Sequence, residues 1–274
     1  MAHDSHIGRA ESPVLLERRG AIAHLTLNSP ERGNTIDVAM ARALLDAAIT
    51  CDDDPAIRCV IIRGKGLMFC AGGDVAALHA AGDALPDLLA QITDHLHAAI
   101  LRLAKLEKPV ITAIHGATAG AGVALAAIGD IAIAEPAAHF TLAYARIGLS
   151  PDGGATWLLP RLIGLRRTQE LAMTNRRISA EEAALIGLVT KIVPQGELAS
   201  EVETLAQNLA HAAVGALGRT KRLLLDGAET SFDDQLDAES RSIVAQGASI
   251  ESRQGIKAFA ERRQPVFLDT DHSI

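Results

Sequence analysis

From Val110 to Gly129 the chain runs for 20 residues without an acid, a lysine or an arginine. Length alone would let such a run cross a bilayer as a helix. Its internal order argues otherwise. It opens as VITAI behind Pro109, a β-rich burst, carries His115, breaks at Gly116 and continues in Gly and Ala. A buried strand, a tight turn and a short buried helix satisfy that order. The run therefore calls for an α/β core that covers it on both sides, and it excludes a membrane partner.

The rest of the chain reads the same way. Val14–Glu17 and Ile22–Leu27 flank Arg19-Gly20 as a hairpin. Asp37 caps a helix that Asp52-Asp53-Asp54-Pro55 stops. Strands are expected at 58–63, 110–114 and 131–134, and helices at 75–81, 85–105 and 120–128. After Gly148 the pattern turns mostly helical, with 189–193 as the strand candidate. The expected organisation is a disordered arm over residues 1–12, an α/β core over 13–195 and a helical region over 196–274. Aromatics are only 3% of the 274 residues, so Ala, Leu, Ile and Val must fill the core.

Composition removes other functions. The formal net charge is -7 with no stripe of Lys and Arg, which excludes nucleic acid as a partner. Cys51, Cys59 and Cys70 are odd in number and lack CxxC spacing, against a disulfide frame or structural zinc and for a reducing, cytoplasmic setting. No metal site is expected.

Two loops share one plan of strand, Gly/Ala-rich turn and helix. They are Phe69-Cys70-Ala71-Gly72-Gly73-Asp74 and His115-Gly116-Ala117-Thr118-Ala119-Gly120-Ala121-Gly122. Small residues let a ligand approach the backbone, and free amides at a helix start attract negative charge. Facing one another, two such turns would hold one developing oxyanion. Either alone equally suits close helix–strand packing. A dinucleotide site fits poorly, because Leu125 occupies the third glycine position of Gly120-x-Gly122 and the helix is too short for a crossover. There is no GK[ST] and so no P-loop.

These loops, together with Gly148-Leu149-Ser150-Pro151-Asp152-Gly153-Gly154 and LPRLIG, resemble the enoyl-CoA hydratase/isomerase (crotonase) family. The resemblance runs from Val14 through NRRISAEEAALIGLV to AFAERR, nearly the whole chain. It implies a crotonase (ClpP-like) α/β fold, a ββα superhelix with a helical C-terminal trimerisation region, assembling as a trimer or hexamer. It also implies an acyl-CoA thioester substrate, with coenzyme A as part of that substrate and no separate cofactor. By position, Ala71 and Ala121 supply the oxyanion amides, Gly72 and Gly120 shape the loops and Asp74 caps a helix. Arg262 falls where the family places a cation near the CoA phosphates; a solvated helix charge is the competing reading.

The hydratases of this family use two glutamates, and here those positions hold Ala124 and Tyr144. Ala124 moves no proton, and a tyrosine donates a hydrogen bond before it acts as a base. Two-glutamate hydration is thus not expected. Asp152 falls where dienoyl-CoA isomerases, ring-epoxide (phenylacetyl-CoA) isomerases and 4-chlorobenzoyl-CoA dehalogenases carry a catalytic aspartate, although Pro-Asp-Gly-Gly is also ordinary turn chemistry. One carboxylate suits isomerisation: it removes a proton, the oxyanion hole holds the enolate, and the proton returns elsewhere. His97, twelve residues before Pro109, matches the dehalogenases' water-activating histidine, but Tyr144 replaces their tryptophan. The expected function is a CoA-ester isomerase with Asp152 as acid/base. The alternatives are a hydrolase using Asp152 and His97 and a non-catalytic CoA-ester binder.

Overall fold

Strands buried on both faces can be apolar without interruption, and the central strands here are. In the computed structural model, which describes residues 5–7 and 12–268, β2 (Val14–Arg19) and β3 (Ile22–Leu27) form the expected hairpin. β3 then pairs in parallel with β4 (Cys59–Gly64), β4 with β5 (Val110–Ile114), β5 with β7 (Ile131–Ala134) and β7 with β10 (Lys191–Ile192). The sheet order is β1-β2-β3-β4-β5-β7-β10. Its first strand, β1 (Ser5–Ile7), lies antiparallel to β2 within the segment expected as a disordered arm. Residues 1–4 and 8–11 of that segment lie outside the described residues.

Alternation along these strands sorts two cores. Leu25, Leu27, Val60, Ile62 and Ile114 face one way and meet α1 (Val38–Asp53), α3 (Leu85–Lys105) and α4 (Ala121–Ala127). Ile22, Ile61, Ile111 and Ile133 face the other way and meet Leu198, Val202 and Ala206 of α8 (Leu198–Ala210). This face of the sheet is thus covered by residues from within the expected helical region, 196–274. α8 is part of the α/β layer because it alone covers that face.

Capping works as the residue types require. Asp37 accepts from the Met40 amide at 2.8 Å to start α1, and Asp74 accepts from Ala77 at 3.0 Å to start α2 (Val75–Ala80). A small second sheet joins β6 (Ala117–Ala119), β8 (His139–Thr141) and β9 (Ile178–Ser179). Strands of two or three residues carry no readable period, which is why the sequence does not announce them. α5 (Ala155–Ile163), α6 (Leu165–Thr174) and α7 (Ala180–Ile186) follow the site, and α9 (Val214–Asp226), α10 (Phe232–Gly247) and α11 (Ile250–Ala260) close the chain. Lys221 of α9 donates to Asp130 at 2.9 Å and ties that helix to the sheet edge. Among the described residues no helix is long and apolar enough to cross a membrane.

Candidate active site

The two Gly/Ala loops are zipped together. Phe69 and Cys70 amides donate to the carbonyls of His115 and Ala117, and the Ala119 amide returns a bond of 2.9 Å to Cys70. The outer side of the first loop is pinned by Gly33–Ile36: the Ile36 amide donates to Gly72 O at 2.7 Å and the Asp74 amide to Ile36 O at 3.3 Å. Backbone groups alternate in direction along an extended segment, so the intervening Gly73 amide turns away from Ile36. It has no acceptor among the described residues, and Gly73 lines a cavity of about 350 Å³.

The two amides of the expected oxyanion pair differ in this respect. Ala71 also lines the cavity, but its amide is spent on Gly33 O at 2.9 Å and has nothing left to offer. On this loop the amide left free among the described residues is that of Gly73. The FCAGGD motif alone cannot distinguish these amides, since the choice depends on which of them pairs with residues 33–36. Ala121, at the first position of α4, lines the same cavity and its amide likewise has no acceptor among the described residues.

Across from the loops a short turn, Tyr144–Ile147, delivers the polar groups. Its entry residue Ala143 is held at φ 58, a left-handed conformation that costs an alanine about 1 kcal/mol and signals a constrained position. Tyr144 donates its hydroxyl to Asp152 Oδ1 at 2.6 Å. Burial, and then the Asp152 charge, push the phenol up from its ordinary value, so Tyr144 stays protonated and donates. Asp152 is the one carboxylate among the described residues that line the cavity. Ile36, Leu89, Ile92 and Leu96 give it apolar walls, and Thr93, Arg146 and Ser150 line it as well.

The remaining expected residues divide. His97 is brought to the site: its Nε2 accepts from the Gly153 amide at 3.1 Å and stands 3.8 Å from Asp152 Oδ2. Ala124 is fully buried beneath it. Asp74 does not line the cavity; it is a helix cap paired with Arg32, which also binds Asp37 at 3.0 Å. Arg262 is likewise elsewhere, beside Phe259 and Arg263 in a separate cleft after α11. The cysteines are buried and unpaired, and burial pushes their thiols up to about 12.

The enoyl-CoA hydratase/isomerase family profile matches residues 17–270. The chain belongs to the enoyl-CoA hydratase/isomerase family. Members of this family bind acyl-CoA thioesters. This hydratase/isomerase homologue is 39% identical to the 1,2-epoxyphenylacetyl-CoA isomerase of Escherichia coli K12 over 256 residues, 93% of this chain and 97% of that one. It is 34% identical to the carnitinyl-CoA dehydratase of Salmonella agona, over 92% of this chain and 97% of the relative. Among solved structures, an enoyl-CoA hydratase from Polaromonas sp. JS666 superposes with a TM-score of 0.88 at 35% identity, covering 92% of this chain and 98% of the other. The architecture is thus the crotonase fold of the family.

Proposed function

We propose that this family member is a CoA-ester isomerase in which Asp152 moves a proton along the acyl group while the Gly73 and Ala121 amides hold the thioester oxygen. The observation that carries this reading is the meeting, in one apolar cavity, of two unspent amides and a single carboxylate anchored at 2.6 Å by a protonated tyrosine. Tyr144 occupies Oδ1, so Oδ2 is the atom left to take a proton from a carbon activated by the thioester. Negative charge then gathers on the thioester oxygen, where the two amides stabilise the enolate. Asp152 returns the same proton at a different carbon, and no atom is gained or lost. The 39% identity to a 1,2-epoxyphenylacetyl-CoA isomerase supports isomerisation. Hydration would need a second carboxylate, and none lines this cavity among the described residues.

A hydrolase reading rests on His97, whose Nε2 lies 3.8 Å from Asp152 Oδ2. There Asp152 would attack a halogen-bearing aryl carbon and expel halide, and His97 would activate water to cleave the resulting aryl ester and free the carboxylate. A screen of 3-enoyl, 2-enoyl, aryl and epoxide CoA esters, followed by mass and ultraviolet absorbance, identifies the reaction. Asp152→Asn should lose at least about 1000-fold in turnover while still binding CoA esters. Full turnover by Asp152→Asn on every active ester would refute the assignment. His97→Gln should trap a covalent aryl-enzyme only if the hydrolase reading holds. Loss of no activity because none exists would leave a CoA-ester binder.

In this proposal coenzyme A is the substrate's handle and no other cofactor takes part. Exposed Leu224, Phe232, Ile243, Val244 and Phe259 on the C-terminal helices support self-association to a trimer or hexamer. A cytoplasmic setting is consistent with the three unpaired thiols.

A further inference from the structure

At two places in the chain, consecutive residues face different cavities. Leu96 and Asp152 line the active-site cavity of about 350 Å³; their successors His97 and Gly153 line a second one of about 570 Å³. The partition is thin because Gly153 adds no side chain to it. Its φ is +62°, and a Cβ there would stand 3.1 Å from Ala124 Cβ and 3.2 Å from Ile100 Cδ1. The side chain in the partition is the His97 ring, half exposed and held by one bond from the Gly153 amide.

The second cavity is apolar. Ile100, Leu101 and Ala104 of α3, Trp157 and Leu158 of α5 and Leu225 of α9 line it. Leu101 is 56% exposed and Trp157 37%, large apolar groups left partly open to solvent. Its rim is fixed: Glu229 accepts from Trp157 Nε1 at 3.0 Å and from Arg161 at 3.1 Å, and Arg161 lies 3.8 Å over the indole ring. The lining has Lys105 as its one cation, opposite Asp226 and Glu229, which does not suit phosphates.

We infer that the second cavity receives the far end of the acyl group, so that the preferred substrates are CoA esters with long apolar tails and His97 is the gate they pass. The inference rests on the CoA-ester reading above. With the thioester oxygen at Gly73 and Ala121, Asp152 meets the first acyl carbons, and the following carbons run against His97 and Gly153. Beyond that point the exposed leucine and indole gain from covering by methylenes, each worth roughly fourfold in affinity when buried.

The test is equilibrium binding of saturated, unreactive esters, from butyryl-CoA to dodecanoyl-CoA, measured by calorimetry. Wild type should bind dodecanoyl-CoA at least about 100-fold more tightly than butyryl-CoA. Ala104→Trp fills the cavity, and Leu101→Arg charges it at an exposed position that folding tolerates. Both should leave butyryl-CoA binding within about twofold and shrink the chain-length gain to less than about tenfold. The inference is overturned if wild type shows no gain with length, or if Leu101→Arg keeps the gain. It is equally overturned if Leu101→Arg instead changes the oligomeric mass in light scattering, since the face would then be a contact between copies of this chain. Binding of inert esters does not depend on Asp152, so a failed isomerase assignment would show in turnover alone.

Discussion

Replacing Gly72 with alanine should disable the site without unfolding the protein. Gly72 sits at φ +89°, where an alanine pays about 1 kcal/mol in conformation. The added methyl would also stand 2.7 Å from Ala119 O and 3.3 Å from Gly120 Cα, both backbone atoms of the opposite loop. Ordinary contacts begin near 3.4 Å, so the loops must part by about 0.7 Å. Gly73 follows Gly72 and Ala121 follows Gly120, so the two amides separate with them. A misplacement of about 1 Å costs on the order of 100-fold in rate, and loss of an oxyanion donor costs 100- to 1000-fold. Gly72→Ala should therefore lower kcat/KM on the best CoA ester by roughly 100-fold, about 2.7 kcal/mol. Gly82→Ala is the control: φ is +50° and nothing lies within 4 Å, so it pays the conformational cost alone and keeps its rate. A Gly72→Ala enzyme within about threefold of wild type, or an equal loss in Gly82→Ala, would refute the two-loop oxyanion hole.

Two stability predictions test the frame. His24 is buried with neither ring nitrogen hydrogen-bonded, and burial lowers its pKa from 6.5 against the opposing pull of Glu203. The unfolded chain then binds a proton that the folded chain resists, so stability is full above pH 6.5 and falls as pH drops below it. His24→Leu should flatten urea-unfolding stability against pH below 6.5, by at most about 1.4 kcal/mol per pH unit; an unchanged slope would remove His24 from the argument. Lys221→Met should cost about 2–3 kcal/mol by leaving Asp130 half-buried without its cation, and Lys221→Met with Asp130→Asn should cost less than the single change. If the double variant is the less stable, the pair does not hold α9 in place.

Much of the fold is written in local pattern. The apolar run at Val110 sets β5 and α4 in place because a charge-free stretch must be covered from both sides. Asp37 and Asp74 mark the helix starts they cap, and 85–105 shows its helix through spacing alone. The motifs around Ala121, Tyr144 and Asp152 are legible as a site, and these residues do gather at one cavity.

What the sequence cannot express is which groups are already spent. Ala71 and Gly73 lie two residues apart in one small-residue loop, and only the pairing with Gly33–Ile36 consumes one amide and spares the other. Arg262 carries the charge that CoA phosphates would need, yet it lies in a different cleft. The second cavity exists because α9 (Val214–Asp226) returns to face α3 (Leu85–Lys105) and α5 (Ala155–Ile163), both remote from it in sequence. Local pattern settles which elements form and which faces they bury, because those depend on neighbours three or four residues away. Which donor is free and where an acyl tail can go depend on partners remote in sequence, and tertiary packing alone brings these together.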